Sequence, residues 1–276
     1  MIGAMYSAIS GLKEHQVMLD VTANNLANVN TIGYKASRAT FKDQLAQNFA
    51  GGAASGATSG GQNPQQVGLG VALSSVDNLI TAGNLQTTGN PLDCAVSGEG
   101  WFRVAPGVPP AMPAAGSVEY TRAGNFTRND QGYLVTSEGY YVMGRDFTSN
   151  TDQYIQIPAG ATGTAIAGDG TVSYIPTGGG ARVTASTISL AKFPNENGLV
   201  RASGNRWQVD PSSGAETVGQ PGGTYGSTIG GTLEASNVDL ANEFTAMIVA
   251  QRGLEANSRV ISASDEILQT LVNLKH

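Results

Sequence analysis

At both ends of the chain, apolar residues recur in alternating steps of three and four. Ile2, Met5, Ile9, Leu12, Gln16, Leu19, Ala23 and Leu26 follow this spacing near the N-terminus. Leu240, Phe244, Met247, Gln251, Leu254, Ser258, Ile261, Asp265, Leu268 and Val272 follow it near the C-terminus. A helix carrying such a stripe must bury it against another surface, and two stripes at opposite ends of one polypeptide are natural partners. The pattern predicts an α+β fold in which long N- and C-terminal helices pair as a coiled coil and an all-β domain is inserted between them. A second stripe (Val260, Ser264, Ile267, Leu271 and Leu274) runs beside the first in the distal half of the last helix. Two stripes on one helix imply neighbours on two sides.

The first helix is expected over residues 4–30, with Gly33 placed as its C-terminal cap. Asn24, Asn25, Asn28 and Asn30 are weak helix formers near its end. Two readings stay open for them: a frayed terminus, or amides that hydrogen-bond to neighbouring chains. Ser236 and Asp239 form a capping-box pattern ahead of the last helix, which then runs to Leu274, ~57 Å at the standard rise.

Between the helices, turn residues punctuate short apolar runs. Strands are expected at 71–80, 92–96, 100–104, 120–122, 125–127, 133–135, 140–143, 154–157, 170–174, 188–193 and 206–209, with a turn at 129–132. This spacing favours a sandwich or barrel over βαβ units. Residues 51–70 hold seven glycines and no charge, the composition of a flexible linker. The expected domains are therefore 1–30 with 237–276, a connecting stretch at 31–75, and an outer β domain at 76–236.

Only 13% of the 276 residues are charged, about half the usual share. Such a surface is covered by small polar residues or buried against copies of itself. The net charge of −6 and the lack of a basic run argue against nucleic acid as a partner. No apolar run approaches the ~20 residues of a membrane span, and no cleavable secretory signal pattern opens the chain. Cys94 is the single cysteine and reads as a small buried hydrophobe.

Catalytic chemistry is poorly supported. His15, His276 and Cys94 do not make a common metal site, and no nucleophile elbow or phosphate-cradling loop is present. Asp93, Glu99, Glu119, Asp130 and Glu138 are the carboxylates available to a folded cleft, and read as solvated charge. His15, on the helix face away from the stripe, is expected to be exposed. No cofactor and no enzyme activity are expected.

Four stretches carry a family resemblance. Residues Val21 to Asp43 (VTANNLANVNTIGYKASRATFKD) and Gly231 to Leu274 (from GTLEASNVDLANEF to LVNL) resemble the terminal motifs of bacterial flagellar rod and hook proteins. Leu92 to Val104 and Tyr120 to Gly144 resemble the β-domain segments of the same family. The resemblance covers most of the chain in order. Its TIGYKASRATFKD, AGGAASGATSGGQNPQQVGLG and DEILQTLVNLK segments look most like short hook proteins, while the length and the glycine-rich stretch also suit the distal rod protein, which comes next.

The resemblance implies a subunit that polymerises helically into a hollow hook, a joint transmitting motor torque for motility. The terminal helices would line the tube, residues near 31–75 would form a connecting layer, and the β domain would lie outside. Met5, Ile9, Leu12, Leu19, Leu26, Asn24, Asn25 and Asn28 would form the assembly interface with Leu240, Phe244, Met247, Leu254, Ile261, Ile267, Leu268 and Leu271. The implied partners are copies of itself, adjoining rod and hook–filament junction proteins, the hook cap protein and the flagellar export apparatus. The implied location is the flagellum outside the cytoplasmic membrane, reached through type III export without a cleaved signal. More remote readings are a trimeric coiled-coil adhesin and a cell-wall-acting enzyme.

Overall fold

The structure is a computed structural model that describes residues 2–52, 54, 60–107, 109, 111, 113, 116–146 and 151–274. It has an N-terminal helix, a large β-rich region and a C-terminal helix, an α+β arrangement. The chain divides into two compact units. One comprises residues 1–27, 37–78 and 239–276; the other comprises 28–36 and 79–238. The expected boundaries fell instead at 30/31, 75/76 and 236/237.

In the first unit, helix α1 spans Ile2–Ala27 and helix α2 spans Leu240–Asn273. The α2 cap is Asp239 rather than Ser236. Its carboxylate accepts from the backbone N–H groups of Ala241 at 2.9 Å and Asn242 at 3.4 Å, while Ser236 Oγ accepts only from Val238 N. Two of the orphan donors of the first turn are thus satisfied locally, and the acidic cap suits the positive helix start.

The two helices run antiparallel and in contact. Gly11 faces Asn257, Gly253 faces the His15 ring, and Asn25 bonds Glu243. Strands Ser37–Asp43 and Val71–Asn78 pair antiparallel in the same unit, with a register shift between Thr40 and Phe41. Ser10 Oγ accepts from Val71 N at 3.2 Å, which ties this ribbon to α1.

The stretch read as a linker is bordered by structure. Ala46–Ala50 pairs antiparallel with Gln65–Gly68, and every residue of both strands is exposed. Composition missed this because pairing across the hairpin, not side-chain propensity, makes these strands. Residues 53 and 55–59 of that stretch lie outside the described residues.

The second unit is organised by one antiparallel sheet. Its main path runs through Thr162–Ile166, Thr171–Ile175, Val183–Ile188, Tyr141–Asp146, Trp101–Ala105, Glu119–Thr121, Arg206–Gln208 and Val200–Arg201. The strand Trp101–Ala105 is buried at every position, so both faces of the sheet are covered. Its alternation assigns the faces: Phe102 and Val104 join Val142, Ile155, Ile188 and Leu190, whereas Trp101 packs with Tyr120, Phe193 and Trp207. The rings of Trp101 and Trp207 meet edge to face at 5.5 Å, a favoured geometry for such pairs. Cys94 is buried in the first cluster, as expected, and burial pushes its thiol up to about 12.

Most of the expected strands are present within a few residues. Leu85–Thr87, Thr162–Ile166, Val200–Arg201, Thr217–Gly219, Ser227–Gly230 and Thr232–Glu234 were not anticipated.

Candidate functional site

Two places in the chain concentrate unusual side chains: the contact between α1 and α2, and a buried charged node in the β unit.

On α1 the buried positions are Ala8, Gly11, Thr22 and Asn25. They keep the three-four spacing but sit one residue before Ile9, Leu12, Ala23 and Leu26, so the face is turned by ~100° from the expected stripe. The reason is steric. Small residues let two helix backbones approach, and Gly11 and Ala8 present the least bulk. Thr22 Oγ1 bonds the Met18 and Leu19 carbonyls at 3.0 Å, so its hydroxyl is satisfied within its own helix. On α2 the buried positions are Ala250 and Ser264, and Ser264 Oγ likewise bonds the Val260 carbonyl at 2.8 Å.

The expected interface residues divide accordingly. Met5, Leu12, Leu19, Leu26, Met247, Leu254, Ile261 and Leu268 are half-buried at the flanks of this contact. Ile9, Leu240, Phe244, Ile267 and Leu271 are exposed, together with Tyr6, Ile248, Val249, Val260 and Val272. Most of the exposed large apolar side chains among the described residues belong to this helical unit or its ribbons, including Leu45, Phe49 and Val67.

The asparagines also divide. Asn24 is exposed, and Asn28 accepts from Thr31 Oγ1 at 3.0 Å within its own turn. Asn25 is buried and bonds to two other elements within the chain. Its Oδ1 accepts from Ser37 N at 2.9 Å, and its Nδ2 donates to Ser37 O at 2.7 Å and Glu243 Oε1 at 3.0 Å. It joins α1, the first strand and α2. Burial pushes the Glu243 carboxyl above its ordinary range, against the bond from Asn25 and aided by Asp239. His15, expected to be exposed, is half-buried against Gly253. Small α2 residues opposite it make room that the stripe of large residues did not disclose.

The charged node is made by residues 28–36, the first part of the β unit, and the strand Thr232–Glu234. Lys35 Nζ lies 2.6 Å from Glu234 Oε1 and donates to the Thr81 carbonyl at 2.8 Å. Gly83 N donates to Glu234 Oε1 at 2.9 Å, and Arg122 Nη1 stands 3.5 Å from Oε2. Lys35 and Glu234 are 1% and 0% exposed, so neither charge is stable there without the other. Burial pulls both Lys35 and Arg122 below their ordinary pKa values, and the Glu234 carboxylate opposes this.

Gly33 completes the node. Its φ of 67° and the 2.6 Å a Cβ would leave to the Arg122 and Ala123 backbone admit only glycine. Gly33 N donates to the Glu234 carbonyl at 2.8 Å. It was expected to cap α1, but α1 ends at Ala27 and Gly33 serves this close approach instead.

The carboxylates held in reserve for a cleft are engaged elsewhere. Asp93 accepts from Thr88 Oγ1 and Asn90 Nδ2, Glu119 pairs with Arg206, Glu138 also meets Arg206, and Glu99 pairs with Lys192. The reading as solvated charge is corrected for Asp93 and Glu119, which are largely buried, and holds for Glu99 and Glu138, which keep exposed side chains within their ion pairs.

The chain thus combines terminal helices that expose large apolar side chains with a β unit whose buried charges are paired. Residues 5–35 match the family described as flagella basal body rod protein. Residues 95–174 match the flagellar hook protein FlgE/F/G D1 domain, and residues 229–274 match the flagellar basal body rod FlgEFG protein C-terminal family. The chain belongs to this flagellar rod and hook family, a family of structural flagellar components and not of enzymes.

The chain is 45% identical to the flagellar basal-body rod protein FlgG of Bacillus subtilis over 277 residues, covering 100% of each. It is 38% identical to the protein of the same name from Caulobacter vibrioides, covering 99% of each. Similarity to the flagellar hook protein FlgE of Borreliella burgdorferi is 25% over 442 residues. The expected family therefore holds while the expected member does not: these relatives favour rod over hook. The hook expectation rested on the two terminal segments, the glycine-rich stretch and the chain length, and these features also suit a rod protein. Among the described residues no helix is long and apolar enough to cross a membrane.

Proposed function

We propose that this chain is a distal rod subunit of the flagellar basal body, polymerising helically with copies of itself into a stiff hollow shaft. The observation that carries the polymer reading is the apolar surface left uncovered on α1, α2 and the exposed ribbons. A patch of that kind marks an interaction surface, and a heterologous contact that does not close into a ring generates a filament. The half-buried stripe residues Met5, Leu12, Leu254 and Ile261 would then complete coiled-coil-like seams with neighbouring copies. The rod assignment is supported by full-length similarity to proteins named as rod components.

Adjoining rod and hook proteins are the proposed end-to-end partners, and the flagellar export apparatus the proposed route to the assembly site. Deleting the gene tests the assignment. Basal bodies should stop before the rod is finished and carry no hook. Complete rods lacking only the hook would restore the hook reading.

A further inference from the structure

We propose that the register of α1 against α2 is set by two reciprocal contacts between a polar side chain and a glycine, reinforced by the Asn25–Glu243 bond. His15 of α1 sits over Gly253 of α2, and Asn257 of α2 sits over Gly11 of α1. A Cβ at Gly253 would lie 2.5 Å from the His15 ring, and one at Gly11 would lie 2.8 Å from Asn257 Nδ2. Each glycine is a hole that its knob fills.

The three contacts obey one register. Four residues from Gly11 to His15 are matched by four back from Asn257 to Gly253. Ten from His15 to Asn25 are matched by ten back from Gly253 to Glu243. A slip of four residues one way sets His15 against Asn257, knob on knob. A slip the other way sets Gly11 against Gly253, hole on hole. Both slips also part Asn25 from Glu243, so the buried amide keeps Ser37 and loses its bond across to α2.

An apolar seam with a repeat of seven would tolerate slips of seven residues, which part all three contacts as well, because Leu, Ile and Met replace one another with little loss. Polar and steric features at single positions specify register where apolar packing does not. The contact within the chain thus carries its own address, while the large apolar residues remain outside it. This inference deepens the proposed assembly role, since slipped helices would offer neighbours a displaced surface.

Cysteine pairs in the full-length protein read the register. Cys94 is fully buried with its thiol pushed up to about 12, so it stays silent under mild oxidation. Gly11→Cys with Asn257→Cys should give an intrachain disulfide, at least about tenfold faster than the slipped pairs Gly11→Cys with Ile261→Cys and Gly11→Cys with Gly253→Cys. A slipped pair reacting as fast, a product only between chains, or no product in either the soluble or the pelleted protein would overturn the register.

Size compensation gives a second reading. Gly253→Val should slow closure of the Gly11–Asn257 pair on the order of tenfold by overpacking, and adding His15→Ala should recover most of it. Failure to recover would show that His15 is not the knob. Pelleting is scored separately: correct crosslinks in a protein that never pellets would count against the polymer reading and leave the register standing.

Discussion

Glu234 is the residue on which the β unit most depends. It neutralises Lys35 and faces Arg122, both almost fully buried. Glu234→Gln keeps the shape and removes the charge, leaving two desolvated cations. The expected loss is about 3–5 kcal/mol, read by denaturant unfolding through the fluorescence of the buried Trp101 and Trp207; a loss under 1 kcal/mol would contradict this role.

Lys35 adds a pH signature. Its folded pKa lies below the unfolded 10.5, chiefly through burial. The unfolded chain then binds more protons between the two values, so stability rises with pH across that window and is lost as pH falls through the folded pKa. The wild type should therefore gain stability relative to Lys35→Met as pH climbs toward 10.5; a flat or falling difference would contradict it. Little of this node was legible in the sequence. Lys35 and Glu234 stand 199 positions apart, and no local period links them. The available signal was a single charge inside each of two otherwise uncharged runs, TIGYKA and GTLEAS.

At the scale of elements, the heptad pattern located both helices to within a few residues and misread the face they share. Counting large apolar residues finds a stripe, but the buried positions include the small Ala8, Gly11 and Ala250, and the helices meet at Gly11 and Gly253, which such counting treats as neutral. The short strands at Thr217–Gly219 and Ser227–Gly230 escaped for a related reason: their partners, not their composition, hold them extended. Leu254 and Ile261 lie at the edge of the contact, half-buried. Leu254→Asp or Ile261→Asp should leave the unfolding transition of the β unit in place while polymer yield collapses, since an unpaired charge in an apolar seam costs several kcal/mol. Normal polymer from either variant would show that the flank is not part of an interface.

Proteolysis separates the units further. Helices draw most of their stability from packing, and α2 is exposed along much of its length. In dilute monomer, residues 1–27 and 239–276 should be cleaved first, leaving a resistant species that spans residues 79–238. Because residues 28–36 carry Lys35 into the β unit, the Lys35 segment should persist with it; its early loss would contradict the node.

At the scale of the whole molecule, the family was legible because its motifs lie at both termini and within the β region, whereas rod and hook proteins share those motifs. Full-length identity favours rod: 45% to a protein named as a rod component against 25% to a longer hook protein. The central claim is that the apolar helical surface exists to be covered by other copies of this chain. Electron microscopy of the purified full-length protein after concentration tests it most directly, with Leu254→Asp as the matched control. Straight hollow tubes are expected from the wild type and none from the variant. A wild type that stays monomeric or closes into discrete small oligomers at every concentration would contradict it.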